Sequence, residues 1–196
     1  MISLKTILSQ KYILASKSPR RKQLLKQIGL NATAVDSGAI ELELKDHNPI
    51  HLVRHNSVLK SESVAGKYKS EIVIGADTIV LLGKEILNKP KDLKHAKEYL
   101  NALSGNLHYV YTGINVINTK NKKVNFAYEK TSVYFRTLQK DEIDYYVNTF
   151  KPLDKAGAYG IQDDFGCLFI KKIAGDYYNI MGLPLVKLYE TIQKVL

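Results

Sequence analysis

The sequence has little cysteine, few arginines and no long apolar run. Cys167 is the single cysteine among 196 residues, so the chain forms no internal disulfide and offers no zinc-type Cys/His spacing. One cysteine is typical of a reducing cytoplasm, and we expect Cys167 to be a small buried core residue. No apolar stretch approaches the roughly 18–20 residues of a membrane helix, and residues 1–7 are too polar for a signal peptide. We therefore expect a cytoplasmic protein that does not bind a membrane.

Signatures of the common nucleotide-binding folds are also missing. The chain has no Walker A loop and no Gly-x-Gly-x-x-Gly motif, and it has no repeats, low-complexity segments or long linkers. Its apolar content of 45% is ordinary for a globular protein. A chain of this length forms one large domain or two closely joined lobes.

Lysine supplies nearly all of the positive charge. Only four of the 29 basic residues are arginines, and the formal net charge is +10. Such a charge is compatible with nucleic-acid binding. The lysines are scattered, however, and the longest lysine runs are the pairs Lys122-Lys123 and Lys171-Lys172. We therefore do not expect a nucleic acid as a partner.

Half of the arginines stand side by side at the end of the segment Ser16–Arg21, which follows the apolar run Tyr12–Ala15. A strand is expected to give way to a helix here, with Ser18 as the cap and Pro19 in the first position. Unpaired backbone N–H groups and two guanidinium groups near one helix start would bind an anion. The alternative is a basic, solvated first turn.

The apolar pattern predicts an α/β fold with a mixed central sheet flanked by helices, because strands and helices alternate before a longer β region. Helices are predicted over 19–28, 49–67, 92–103, 140–149 and 184–195. Strands are predicted over 12–16, 72–77 with a continuation to 82, 86–87, 107–118, 124–137 and 167–173. Residues 36–48 are predicted to form a loop.

Asp77 is the most conspicuous acid, because it ends the apolar run Ile72–Ala76. Functional side chains collect at the carboxyl ends of strands in open α/β sheets, where an acid serves as general base or metal ligand. Glu41 and Glu43, in the predicted loop, are candidates for a second oxygen ligand of Mg²⁺ or Mn²⁺. The alternatives are a turn-capping acid and two solvated glutamates.

Other polar side chains could contact a nucleotide. Lys60 and Lys89 could each hold a phosphate as a point charge, and the amide of Gln162 could both donate to and accept from a nucleobase edge. The histidines His51 and His55 are one helical turn apart, which fits an exposed helix face better than a zinc site. For each of these residues the alternative is an ordinary solvated surface position.

Six segments occur in order between residues 12 and 188 and together resemble the signature of the Maf family of nucleoside triphosphate pyrophosphatases. They are Leu14–Arg21, Val73–Thr78, Asn88–Asp92, Leu103–Gly105, Asp154–Gln162 and Met181–Pro184. The resemblance implies a hydrolase acting on acid anhydrides, which converts a nucleoside triphosphate to the monophosphate and pyrophosphate with a divalent metal (Mg²⁺, Mn²⁺ or Co²⁺). It also implies a single domain over residues 1–196, with two lobes and an active-site cleft as in inosine triphosphate pyrophosphatases, and a homodimer.

By position in the family motifs, Asp77 corresponds to the general base, and Glu41 and Asp77 to the metal ligands. The substrate-binding positions are Ser16, Arg20, Arg21, Lys60 and Lys89. The positions that mark the branch acting on dTTP and UTP are Arg20, Thr78 and Gln162. The resemblance thus implies removal of pyrimidine triphosphates, modified ones included, in nucleotide housecleaning.

Two segments depart from the family pattern. Lys17 stands where a small residue is usual, and Asn56–Ser61 is a loose version of the pattern Leu-Ala-x-x-Lys-Ala that contains Lys60. Two alternative functions stay open. One is the same reaction on another modified nucleotide such as 7-methyl-GTP, and the other is a nucleic-acid-binding regulator of cell division.

Overall fold

The computed structural model describes residues 2–42, 48–162 and 165–196. Helices and strands alternate along the first half of the chain, and two long strands follow, as the apolar pattern predicts. The helices are α1 (Leu4–Leu8), α2 (Pro19–Gln27), α3 (Pro49–Ala65), α4 (Leu93–Leu103), α5 (Lys140–Phe150), α6 (Tyr177–Ile180) and α7 (Leu185–Val195). The strands are β1 (Tyr12–Ala15), β2 (Ala32–Val35), β3 (Ile72–Leu82), β4 (Glu85–Leu87), β5 (Leu107–Asn118), β6 (Val124–Phe135) and β7 (Ile170–Ala174).

The strands form a mixed sheet in the order β2-β1-β3-β5-β6-β7, with β4 paired to β3. Strand β1 runs parallel to β2 and to β3, with Tyr12 opposite both Ala32 and Ile72. The pairs β3–β4 and β6–β7 are antiparallel. The predicted α/β class with a mixed central sheet is therefore confirmed.

Contacts divide the chain into two units, and strands β3, β5 and β6 each contribute to both. The first unit contains residues 1–77, 112–129 and 182–196, and the second contains residues 78–111 and 130–181. The expectation that residues 1–196 act as a single domain stays a prediction. Among the described residues, no helix combines the length and the apolar character needed to cross a membrane.

In the first unit, helix α3 lies directly against the sheet because two glycines leave room for its backbone. A Cβ atom added at Gly75 of β3 would overlap the carbonyl oxygen of Ser57, and one added at Gly113 of β5 would lie 2.5 Å from that of Val53. Real Cβ atoms do not approach a backbone oxygen so closely. The two glycines therefore determine how near the side chains of α3 come to β3.

The second unit has an apolar core rich in aromatic rings. Phe135 packs edge-on against both His108 and Tyr159, and the ring of Tyr146 packs edge-on against Phe169. The imidazole of His108 is fully buried, with Nε2 2.7 Å from the hydroxyl of Tyr159. Burial lowers the pKa of His108 to about 3, so this side chain is neutral in the folded protein.

Three short elements, α1, β2 and α6, were not predicted, since each spans at most five residues and shows too little periodicity. The strand predicted over 167–173 is wrong in its first part, because Phe165–Phe169 forms a 3₁₀ helix and β7 begins at Ile170. Cys167 lies in that 3₁₀ helix and is exposed. Its predicted place in the core is therefore also wrong.

Candidate active site

Asp77 is a buried acid in the interior of β3, with only 4% of its surface exposed. It does not end a strand, because β3 continues to Leu82 and its last residues pair with the antiparallel strand β4. The parallel pairing with β1 does end close by, at Ile74 opposite Leu14. Asp77 thus follows the parallel part of the strand, which is the position where functional side chains collect in α/β sheets.

Helix α3 contacts both oxygens of this carboxylate. The Nζ atom of Lys60 lies 2.7 Å from Oδ1 of Asp77, and Nδ2 of Asn56 donates to Oδ2 at 3.1 Å. Residues 56 and 60 are four apart and share one helix face, so the two donors reach the carboxylate together. The carboxylate of Asp77 is therefore held in one orientation.

Glu41 contacts the same ammonium group. Its Oε1 atom lies 2.9 Å from Nζ of Lys60, although the Glu41 side chain is 46% exposed and that of Lys60 only 8%. The neighbouring residue, Leu42, is bound to Asn56 through both its N–H and its carbonyl group. Lys60 thus lies between one buried and one partly exposed carboxylate, 36 positions apart in the sequence.

Positive charge keeps Asp77 ionised. Burial by itself would raise the pKa of this carboxyl, but the charge and hydrogen bond of Lys60, the charge of Arg21 and the hydrogen bond of Asn56 outweigh it. The pKa of Asp77 is therefore lowered. Burial lowers the pKa of the Arg21 guanidinium, while the nearby charges of Asp77 and Glu41 oppose that effect.

The Ser16–Arg21 segment forms the predicted turn into a helix. Ser18 is the N-cap of α2, with its hydroxyl accepting from the N–H of Arg21, and Pro19 is the first helical residue. The guanidinium of Arg21 is buried and donates to Ser16 Oγ at 3.2 Å and to the carbonyl of Ala76 at 2.9 Å. Its Nε donates to the carbonyl of Gly182 at 2.8 Å. Arg21 therefore links the start of α2 to the residue before Asp77 and to the segment before α7.

Arg20 and Lys17 lie on the same turn and are more accessible than Arg21. Arg20 is half-buried, and Lys17, the residue that departs from the family pattern, forms an exposed ion pair with Asp36 at 2.6 Å. This pair joins the turn before α2 to the loop that leads to Glu41.

The second unit carries the other predicted site residues, which are Thr78, Lys89 and Gln162. Thr78 directly follows Asp77 in β3 and is half-buried, Lys89 is exposed, and Gln162 is half-buried. The carbonyl of Asn88 accepts from the N–H of Gly157 at 3.3 Å. This bond joins the Asn88–Asp92 and Asp154–Gln162 motifs, which are distant in sequence.

Within the first unit, the structure brings together Ser16, Arg21, Glu41, Lys60 and Asp77. Glu43 lies outside the described residues, and His51 and His55 are exposed on α3. Sequence reasoning missed Asn56. The sequence did contain an indication of its role. Asn56 is a polar residue one helical turn before Lys60, on the face of α3 that also carries the buried Leu52 and Val53.

The oxygen atoms near Lys60 suit a hard divalent cation. Glu41 and Asp77 provide carboxylates, which are ligands preferred by Mg²⁺ and Mn²⁺. Among the described residues, no group of three or more His, Cys, Asp or Glu side chains could hold a metal ion. A cation bound by the two carboxylates would therefore need further ligands, which the phosphate oxygens of a substrate can provide.

The fold and the site define an α/β protein with a buried carboxylate–ammonium centre beside the start of a helix. The sequence profile of the Maf family, described as Maf-like protein, matches residues 11–195. The chain belongs to the Maf family.

Curated relatives match nearly the whole chain. A protein of Thermoanaerobacter sp. (strain X514) is 44% identical over 185 residues, covering 94% of this chain and 96% of the relative. One from Clostridium novyi (strain NT) is 46% identical over 182 residues, covering 92% and 95%. One from Dictyoglomus thermophilum is 40% identical over 189 residues, covering 96% and 97%. Each of the three is named dTTP/UTP pyrophosphatase.

Among solved structures, the Ham1 protein of Staphylococcus aureus matches 64% of this chain and 72% of its own, with a TM-score of 0.46 and 14% sequence identity.

Proposed function

We propose that this chain is a nucleoside triphosphate pyrophosphatase that hydrolyses dTTP and UTP to the monophosphate and pyrophosphate. The name shared by its relatives supports the substrate class. The observation that carries the proposal is the buried, ionised Asp77, whose carboxylate is held by Lys60 and Asn56 beside the carboxylate of Glu41.

In the proposed reaction, Asp77 orients a water molecule and takes up its proton. As the water oxygen bonds to the α-phosphorus, the bond from that phosphorus to the α–β bridging oxygen breaks and pyrophosphate leaves. Asp77 suits this task because its two donors hold the carboxylate in place before substrate arrives. The proton then passes to solvent, and the carboxylate is restored.

Positive side chains neutralise the triphosphate in this proposal. Arg20 and Lys89 bind phosphate oxygens directly, because both have exposed surface. Lys60 contributes its ammonium between the two carboxylates, and Arg21 contributes charge while it anchors Ser16 and Ala76. Transfer of a phosphoryl group needs mainly such positioning and charge neutralisation.

A divalent cation (Mg²⁺, Mn²⁺ or Co²⁺) is part of the proposal, with Glu41 and Asp77 as its protein ligands. When bound, it supplies Lewis-acid stabilisation of the negative charge on the phosphate oxygens. Both side chains already face one cation, the ammonium of Lys60, so their arrangement suits positive charge.

Base selection is assigned to Gln162, together with Thr78 and Arg20. The carboxamide can donate to O4 and accept from N3–H of uracil or thymine, whereas cytosine presents an amino group and a bare N3 at these positions. A site that hydrogen-bonds uracil or thymine in this way discriminates against cytosine, because the mismatched donors and acceptors are left unpaired.

A pyrophosphate-release panel tests the proposed function. The protein would be incubated with Mg²⁺ or Mn²⁺ and each of the common triphosphates, together with 7-methyl-GTP, and the monophosphate identified by chromatography. We expect kcat/KM for dTTP and UTP to exceed that for other triphosphates by about ten-fold or more. Highest activity on 7-methyl-GTP would instead assign the chain to a different substrate, and no release from any nucleotide would refute the proposal.

The proposal includes one catalytic domain over residues 1–196 that acts as a homodimer in the cytoplasm, where nucleoside triphosphates are made and used. Light scattering after size exclusion measures the mass in solution. A mass of twice 22.1 kDa is expected for the homodimer.

A further inference from the structure

Asn56 is a buried polar residue whose side chain joins two parts of the candidate site. Only 3% of its surface is exposed. Its Oδ1 accepts from the N–H of Leu42 at 2.9 Å, while Nδ2 donates to the carbonyl of Leu42 at 3.3 Å and to Oδ2 of Asp77 at 3.1 Å. The carboxamide thus uses its acceptor and its donors inside the protein.

These partners determine the orientation of the amide. A backbone N–H requires an acceptor, and a carbonyl and an ionised carboxylate require donors, so exchanging Oδ1 and Nδ2 would break all three contacts. The two bonds to Leu42 reproduce the paired N–H and C=O contacts of adjacent antiparallel strands. Leu42 is therefore bound to α3 although it belongs to no strand.

Binding of Leu42 also restrains Glu41, the residue before it. Glu41 is half exposed, and its carboxylate forms an ion pair with Lys60. Lys60 is on the same face of α3 as Asn56, one turn further along. One helix turn therefore holds the backbone next to Glu41, the carboxylate of Glu41 and both oxygens of Asp77.

We propose that Asn56 is a positioning residue for the reaction, acting through Asp77 and through the backbone that carries Glu41. The inference rests on the proposed function, since it concerns the same centre. Asn56 touches no reacting atom in this account. It fixes Oδ2 of Asp77, and it keeps the carboxylate of Glu41 near that of Asp77.

Two substitutions distinguish the contact of Asn56 with the Leu42 N–H from its contact with Asp77. Asn56→Leu removes all three hydrogen bonds at similar volume, and leucine is the residue of the family pattern at this position. Asn56→Asp retains an acceptor for the N–H of Leu42 but loses the donor to the Leu42 carbonyl and to Asp77. Asn115→Leu is the matched control, because Asn115 is also buried and its amide donates to Ser61 Oγ of α3 at 2.8 Å.

The experiment measures kcat and KM of the full chain on UTP and the hydrogen exchange of the Leu42 amide by NMR. For Asn56→Leu we expect kcat to fall about ten-fold or more with KM nearly unchanged, because misplaced catalytic groups cost rate. Exchange at Leu42 should be at least about ten-fold faster in Asn56→Leu and near that of the wild type in Asn56→Asp. Asn56→Asp should still lose kcat.

Two results would overturn the proposal: kcat of Asn56→Leu equal to that of Asn115→Leu, or Leu42 exchange unaltered in Asn56→Leu. A role confined to stability predicts that first result, since both variants lose a buried, hydrogen-bonded amide. If the wild type hydrolyses no triphosphate, the proposed function fails, while Leu42 exchange still decides whether Asn56 holds the backbone beside Glu41. The two failures are therefore distinguishable.

Discussion

Lys60 and Asp77 form an ion pair of 2.7 Å in which the two side chains are only 8% and 6% exposed. Burying two charges costs free energy that their attraction repays only with good geometry and further hydrogen bonds. Here Asn56 supplies one of those bonds to Asp77, and Glu41 supplies a second negative partner to Lys60. The pair is thus one part of a connected group of four side chains, and removing either Lys60 or Asp77 takes away the nearest opposite charge of a buried group.

Replacing Asp77 with asparagine should abolish most of the activity. The variant retains the shape of the side chain but lacks a proton acceptor, so kcat should fall by about 10²–10⁴-fold. Steady-state pyrophosphate release from UTP measures the effect. Asp36→Asn is a matched control, because Asp36 is an exposed acid paired with Lys17 and should be dispensable. Turnover near that of the wild type in Asp77→Asn would exclude Asp77 as the base.

Replacing Lys60 with methionine should destabilise the fold. The substitution leaves Asp77 and Glu41 without the ammonium between them, and breaking a buried ion pair typically costs about 3–5 kcal/mol. Urea unfolding at pH 7 measures the free energy. The double variant Lys60→Met/Asp77→Asn should recover part of this loss, since it no longer buries an uncompensated carboxylate. Strictly additive effects would show that the two residues are not coupled.

Replacing Gly75 with alanine should displace the α3 side chains that contact Asp77. The Cβ of Gly75→Ala would overlap the carbonyl oxygen of Ser57 and force α3 away from β3, at a cost of about 1–3 kcal/mol. Because α3 carries Asn56 and Lys60, kcat should fall as well. Gly66→Ala, at the end of the same helix, has no atom within 4 Å of the added Cβ, so it should leave kcat unchanged and should not lower the free energy of unfolding. Equal stability of the two variants would contradict this account of the helix–strand packing.

Stability should fall in acid because of His108. Burial lowers its pKa from the usual 6.5 to about 3, so below pH 6.5 the unfolded chain binds a proton that the folded protein does not. The free energy of unfolding should therefore decrease as the pH falls from about 6.5 to 3, by up to about 1.4 kcal/mol per pH unit from this residue. Urea unfolding of the wild type and of His108→Gln across this range isolates the effect. Parallel curves for the two proteins would refute it.

Removing the amide of Gln162 should affect pyrimidine substrates selectively. Gln162→Leu should lower kcat/KM for UTP and dTTP by about 10–100-fold, because a lost base contact leaves polar groups of the base unpaired. The low rates on ATP and GTP should change little, and they serve as the internal control. A uniform loss on every nucleotide would indicate that Gln162 supports the loop rather than reads the base.

Local patterns predicted much of this structure. Helix α2 begins with the predicted cap, Ser18, and α4 ends at Leu103, where the helix predicted over 92–103 ends. The strand expected at 107–118 agrees with β5, because alternation and apolar content report burial within a few residues. The errors fall where that signal is weak, as in the segment around Cys167.

The sequence by itself determined the class of fold and the family, because periodicity, helix caps and ordered motifs are properties of neighbouring residues. It also contained the acids and bases of the site as separate candidates. Only the tertiary structure decided that Lys60 lies between Glu41 and Asp77, that Asn56 joins Leu42 to Asp77, and that the guanidinium of Arg21 is buried. The contacts of Lys60 and Asn56 depend on how closely α3 packs against the sheet. Gly75 and Gly113 leave room for that approach, but no local pattern shows which backbone lies against them.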